Sequence, residues 1–422
     1  MKAFLFYLLP SLLAAPALSH PASSNSNTVS PRLPFDFYKR QCDCYVVSGP
    51  EPGYFENYAF WDFRKIPLPR YEINGSKGRA NMRSSILSRA DRIDNNNEVD
   101  EEKNVDEEAE FDFGTLLLSH TAFARDWKPQ RWHRKSDRTG PVSIINSPEN
   151  IFFARNTLYA DDSESTHLVL RTTRFPDHTA TAELEHKLRN IFHCSLRVRM
   201  RVMKVDSLSR EPMLYGRPLP KVNTTDQPVV PGGACAGIFT YRSSTCESDI
   251  EILTSDPHNI VRYANQPDYD PITDTMIPGA ASIGTLPGPW TNPITHRVDW
   301  LHNITNWYAD GEIQAFKTYQ VPNQPSMIAI NLWSNGGEWT GDMPVGHSVY
   351  IGIEWIELAY NTSAKVKGAP SDTVPFQGHR HRPLVQFAAV ELESDNESSA
   401  EEVEFTKRKE DRECLRPCFL DS

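Results

Sequence analysis

The densest run of reactive side chains in this 422-residue chain is Cys246-Glu247-Ser248-Asp249-Ile250-Glu251-Ile252-Leu253-Thr254. On a β-strand alternate side chains point to opposite faces. Glu247, Asp249 and Glu251 therefore share one face, while Ser248, Ile250 and Ile252 take the other. Three neighbouring carboxylates repel one another, which predicts that at least one keeps a proton near neutrality and that the group titrates as a unit. A protonated acid beside an ionised carboxylate is the pair that double-displacement glycoside cleavage requires. The same residues also read as a solvated strand face or as calcium ligands. Geometry sets a condition on the catalytic reading. Residues i and i+4 lie ~13 Å apart along a straight strand, whereas the carboxyls of a retaining enzyme sit ~5–5.5 Å apart, so the strand must curve.

A glycan site also needs flat aromatic surfaces for the C–H faces of sugars. Trp333 and Trp339, beside Asn335-Gly336-Gly337, are the best placed, because glycine lets a ligand approach the backbone. Tyr263 and Asn265, on the strand after the acids, are expected to line neighbouring subsites, and His296 to hydrogen-bond near the acid. Trp300 reads as core. No Cys-x-x-Cys pair with histidine partners occurs, so no zinc site is expected, and no metal is assigned to these residues. No P-loop or dinucleotide glycine pattern stands out, and no cofactor is expected.

The elements that must position these residues read as strands. Runs rich in β-branched and aromatic residues recur at Val142–Ile145, Thr166–Arg174, Ser195–Val205, Ala236–Tyr241, Asp249–Leu253, Asn259–Ala264, His296–Trp300, Asn306–Tyr308, Glu312–Thr318, Met327–Trp333 and Val349–Tyr360. Many short strands at this spacing predict an all-β sandwich or barrel. Alternation across Ser195–Val205 puts Leu196, Val198, Met200 and Val202 in the core, with Arg197, Arg199 and Arg201 on the other face. Asp310-Gly311 between two such runs predicts a tight hairpin.

Charge and cysteines bear on the compartment. Net charge is −11, with 44 Lys+Arg against 55 Asp+Glu. Residues 94–112 carry −9 and residues 391–413 carry −6; without both, −11 becomes +4. The folded part is thus nearly neutral and offers no basic surface for nucleic acid. The acidic run at about 91–112 is expected to be a solvated insertion, and 361–422 a disordered acidic tail. Residues 1–19 read as a secretory signal, with a basic start, a short apolar stretch and Ala17/Ser19 at its end. A Ser/Pro-rich segment follows over 20–54, with a dibasic Lys39-Arg40. No second apolar run of spanning length and no hydrophobic C-terminal tail occurs, so no membrane anchor is expected. A secreted or wall-associated monomer is the resulting expectation. Seven cysteines remain after the signal, and in a secreted chain they read as disulfide partners, with Cys235 and Cys246 paired first by proximity. Five sequons, at Asn74, Asn223, Asn303, Asn361 and Asn396, fit a glycoprotein.

The Glu-x-Asp-x-Glu run resembles the signature of the glycoside hydrolase family 16 enzymes. Other stretches match in order: Phe55 to Arg64, similar to the opening of fungal members; Thr181-Ala182-Glu183-Leu184; His296 to Trp300 followed by Trp307 to Gly311; and Ile330 to Trp339. The resemblance spans about residues 55–360, apart from the acidic insertion. It implies a concanavalin A-like jelly roll of two curved antiparallel sheets with a glycan cleft across the concave one. It also implies roles: Glu247 as nucleophile, Glu251 as general acid and then base, and Asp249 tuning both. Ser248 departs from the apolar residue that members more often carry there. The implied activity is retaining endo-cleavage of a β-glucan (β-1,3 or mixed β-1,3/1,4). Two other readings are transglycosylation through the same residues and a non-catalytic lectin-like module. The partner implied in each case is a polysaccharide.

Overall fold

The structure is a computed structural model that describes residues 42–49, 53–72, 111–159, 162, 164–203, 213–214, 217–218, 230–270, 272–273, 275–363 and 414–420. The chain divides into two units. Met1–Cys42 lies outside the described residues except at Cys42, so the fold is that of Asp43–Ser422. The signal segment, the acidic run as far as residue 110 and three of the sequons (Asn74, Asn223 and Asn396) also lie outside them; residues 111 and 112, expected in the insertion, belong to the strand Phe111–Phe113, which pairs with Arg70–Glu72.

Among the described residues strands dominate, as the recurring β-rich runs predict, with only short 3-10 turns between them. The front layer is antiparallel throughout. Its order is Trp127–Pro129, His178–His186, Met327–Trp333, Cys235–Ser243, Cys246–Leu253, Ile260–Asn265 and Ala281–Thr285. The back layer is built on Ser348–Thr362. One side of that long strand pairs with Ile191–Met203; the other pairs with Thr166–Arg174 and then Asn57–Asp62. From Ile191–Met203 the layer continues through Ile294–Trp300, Thr305–Ala309 and Glu312–Lys317.

The inner faces of the two layers make one core. Ile238, Ile250, Ile252 and Ile330 from the front pack with Leu196, Val198, Met200, Val298 and Ile356 from the back, all nearly solvent-free. Burying each such side chain contributes about 1.5–3 kcal/mol. The arginines of the back strand point outward. Arg197 pairs with Glu357 at 2.7 Å and Arg199 with Glu354 at 3.1 Å. The hairpin at Asp310-Gly311 forms as expected, with φ +46° and +87°, the left-handed values such a turn requires.

The strand His178–His186 is one the hydrophobic pattern misses. Its sequence, His-Thr-Ala-Thr-Ala-Glu-Leu-Glu-His, is poor in β-formers, and all but its first residue are buried, so it shows no in–out alternation. It joins the layers: Thr179 and Ala180 pair into the back sheet, and Ala182 to Glu185 pair into the front.

The cysteines pair differently from expectation. Cys235 and Cys246 are free. Each opens one arm of the same antiparallel hairpin, where Cys235 faces Leu253 and Cys246 faces Ser243. They therefore sit at opposite ends of the hairpin, about eight residues or ~26 Å apart by strand rise. The disulfide that does form joins Cys44 to Cys414, 370 residues apart in sequence. Cys42 and Cys418 are also disulfide-bonded, and Cys194 is free and buried. Residues 414–420, which the sequence assigns to the tail, are partly a strand. Pro417–Phe419 pairs in parallel with Cys44–Val47, which in turn pairs with Gly53–Phe55. The back-layer strand Ser348–Thr362 likewise runs two residues past the expected boundary at Tyr360.

Candidate active site

The acid strand Cys246–Leu253 lies between Cys235–Ser243 and Ile260–Asn265. Ile250 and Ile252 anchor its inner face in the core. That fixes the parity, so Glu247, Asp249 and Glu251 all project from the outer face of the front layer. They are nevertheless nearly solvent-free, at 3%, 1% and 6% exposure. Clustered carboxylates with so little water contact are costly to bury, and each has further partners.

Cross-strand register defines the floor around them. Glu251 faces Gly237, which faces Asn331, which faces Glu183, giving one row across four strands. Asp249 faces Phe239, then Ala329 and Glu185 in the next row. On the other side Glu251 faces Arg262. Arg262 holds Asp256 with two hydrogen bonds, at 2.8 and 3.0 Å, and its guanidinium lies 5.1 Å from the Trp339 ring centroid. Gln266 Nε2 donates to Asp249 Oδ2 at 2.8 Å, while its own Oε1 accepts from the Asp268 amide at 3.0 Å. This amide fixes the orientation of the middle carboxylate.

Glu183 is a site residue that the sequence shows only as part of a matched stretch. Trp132 Nε1 donates to its Oε1 at 2.9 Å. Burial, and then the neighbouring Glu185, push its carboxyl well above the ordinary range. Trp132 packs against two apolar clusters on this face. One holds Ile144, Cys235, Leu253 and Trp333, with Trp339 against it; the other holds Phe239 and Ala329, with Tyr241 against it. Neither Trp132 nor Gln266 is distinguishable in the sequence, because both reach the site from connections between strands.

The predicted binding residues divide. Trp333 and Trp339 are on the acid face, the first buried at 5% exposure and the second half-buried. Their Gly-Gly loop does not open space for a ligand as expected. A Cβ on Gly337 would collide with the Thr139 carbonyl, and Val142 N donates to Asn335 O at 2.9 Å, so the loop packs on a neighbouring one. Tyr263 is among the residues lining the groove beside Glu251, but its ring turns inward, away from the acid face. It faces Ile250, is 1% exposed in the main core, and lies beside Trp307 with ring centroids 5.7 Å apart. Asn265 also points inward, where its Nδ2 donates to Thr305 Oγ1 at 3.2 Å and to the Tyr319 carbonyl at 2.9 Å. His296 belongs to the back layer, in phase with the core residues Val298 and Trp300. Burial there lowers its pKa to about 4, so it is a neutral core side chain. Beside Glu251 the face opens into a groove whose lining includes Arg262, Asp268, Met276, Ile283 and Trp339. Among the described residues no group of three or more His, Cys, Asp or Glu is arranged to hold a metal.

An alignment of 158 positions, covering 35% of this chain, matches the β-glucanase of Bacillus subtilis (strain 168) at 28% identity and that of Bacillus licheniformis at 30%. The chain is similar to bacterial β-glucanases. The match spans 60% of the length of these two relatives. Among solved structures, a Bacillus licheniformis β-glucanase aligns over 59% of this chain and 98% of its own, with 18% identity and a TM-score of 0.41. No protein-family model matches.

Proposed function

We propose that the chain is a retaining endo-β-glucanase of glycoside hydrolase family 16. The observation that carries this reading is the shared outward face of Glu247, Asp249 and Glu251 on a strand whose other face is locked into the core. The similarity to bacterial β-glucanases supports the substrate class. Glu247 attacks the anomeric carbon and forms a glycosyl-enzyme ester, while Glu251 gives its proton to the departing glycosidic oxygen. Glu251 then takes a proton from water, which attacks the same carbon and releases Glu247. Asp249, oriented by Gln266, sits between the two and couples their charges. Glu183 and Trp132, in and beside the Glu251 row, supply a protonated donor and an aromatic surface for a bound sugar.

One observation favours a second outcome of the same chemistry. The groove beside Glu251 is rimmed by Met276, Ile283 and Trp339, of which Met276 and Ile283 are exposed. Apolar surface next to the acid/base suits an acceptor sugar in place of water, and transfer would then compete with hydrolysis. A lectin-like module is less well supported, since binding alone does not require three buried acids. Secretion fits the disulfides, and no helix among the described residues is long and apolar enough to cross a membrane. Of the proposed glycan sites, Asn303 lies on an exposed turn. Asn361 uses its side chain in two hydrogen bonds to the 54–56 segment, so a glycan there must keep the remaining N–H.

The test is turnover on laminarin-type, mixed-linkage and chitin-type polymers with Glu247→Ala as control. Shorter products indicate hydrolysis, and products longer than an oligosaccharide substrate indicate transfer. A parent with no turnover on any of them, but intact glycan binding in Glu247→Gln, would establish the lectin.

A further inference from the structure

Cys235 is a buried thiol that the proposed reaction does not use, yet it touches the reaction's acid/base. It opens the strand Cys235–Ser243, facing Leu253 on one side and Trp333 on the other. Its side chain therefore projects to the acid face. It is fully buried there among Ile144, Leu253 and Trp333, with Trp132 and Trp339 packed on the cluster. Its Sγ lies 3.4 Å from Glu251 Oε1. Burial first, then the charge of Glu251 and its hydrogen bond, and then the charge of Asp249 raise the thiol well above its ordinary pKa. The sulfur thus keeps its proton, so whenever Glu251 is ionised S–H donates and the carboxylate oxygen accepts.

We propose that Cys235 is the positioning residue of Glu251. Its thiol holds one carboxylate oxygen in place and favours the ionised form that must act as base in the second half of the reaction. This rests on the reading of Glu251 as acid/base. Charged groups surround Glu251: Arg262 across the strand with its partner Asp256, Asp268 in the groove, and Asp249 and Glu247 on the same strand; Glu183, at the far end of the same row, is held protonated by burial and Glu185. Arg262 also favours the ionised form, and the acids oppose it. The thiol differs from all of them in being a neutral donor, so its removal leaves the net charge unchanged. The basic limb of the rate profile then reads the lost bond alone.

The variant is Cys235→Ala, read by kcat and KM against pH. A hydrogen bond to the charged form lowers a carboxyl's pKa, and a thiol is a weak donor, so the basic limb should move up by roughly half a pH unit, with kcat falling and KM little changed. Cys235→Ser restores a donor and should bring the limb back toward the parent; it also covers the case in which alanine destabilises the strand. A limb unmoved in Cys235→Ala, or a serine variant indistinguishable from alanine, overturns the positioning role while leaving the proposed function intact. The contact can be read without turnover through the S–H stretching band, assigned to Cys235 by its disappearance in Cys235→Ala. Glu251→Ala should shift that band to the frequency of an unbonded thiol. A band that stays put refutes the contact whatever the enzyme's activity.

Discussion

Replacing Glu183 with glutamine should stabilise the protein, and by an amount that grows with pH. Glu183 is 1% exposed, and burial and Glu185 both hold its carboxyl well above its ordinary value of 4.5. In the unfolded chain it ionises near 4.5. Between that value and the raised folded one, the native state holds a proton that the unfolded state has lost. A group whose pKa is raised on folding contributes stability below its unfolded pKa and loses it as pH rises. The slope is about 1.4 kcal/mol per pH unit. Glutamine has the shape of the protonated acid, keeps the oxygen that accepts from Trp132, and cannot ionise. Parent and variant should therefore be nearly equal at pH 4, with the variant gaining up to about 2.7 kcal/mol between pH 5 and 7. His167, His186 and His296, whose pKa values burial lowers to about 3, 4 and 4, destabilise the fold on acidification but do so equally in both proteins. The assay is urea denaturation of both at pH 4, 5, 6 and 7. A stability difference that does not change with pH would show that Glu183 ionises alike in both states, and its role as a protonated donor would fall.

Four further outcomes follow from the same site. Ile250→Ala should cost about 2–5 kcal/mol, because this side chain anchors the acid strand in the core; a loss under 1 kcal/mol in thermal or urea unfolding would mean that the strand is held otherwise. Gly237→Ala places a Cβ 2.6 Å from Asn331 Oδ1, between Glu251 and Glu183, so activity should fall at least tenfold with the melting temperature lowered only modestly, and unchanged kinetics would remove this row from the site. The rate should follow a bell with an optimum roughly at pH 5 to 6. Asp249→Asn should move its basic limb to lower pH by taking one repelling charge away, and an unmoved limb would uncouple Asp249 from the acid.

What the sequence discloses depends on whether one strand or several must be known. Alternation within Cys246–Leu253 suffices to put the three acids on one face and two isoleucines on the other, and both are found there. The same rule places Leu196, Val198, Met200 and Val202 in the core. Tyr263 and Asn265 went the other way because their faces depend on register: pairing Tyr263 with Ile250 turns it inward and leaves Arg262 beside Glu251. His296 was misplaced, although its phase with Val298 and Trp300 already marks it as a core position. Glu183 was hidden by a strand too buried to alternate and too rich in Ala and Glu to look like one. Trp132 and Gln266 reach the site from connections, and no local pattern marks them. Cys235 and Cys246 are close in sequence but occupy opposite ends of a hairpin, whereas Cys44 and Cys414 meet because two chain segments form adjacent parallel strands.

The role of Glu247 as a covalent nucleophile is tested most directly by trapping. A glucan oligosaccharide carrying fluorine at C2 and a good aryl leaving group at the reducing end slows both steps of double displacement, the second more than the first, so that the glycosyl-enzyme accumulates. Intact-mass measurement should show one glycosyl unit added, and peptide mapping should place it on the fragment containing Glu247, with no adduct in Glu247→Ala. An adduct on Glu251 or elsewhere would reassign the nucleophile. A parent that turns over glucan but never acquires the label, and releases product with inverted anomeric configuration, would contradict covalent catalysis at this site.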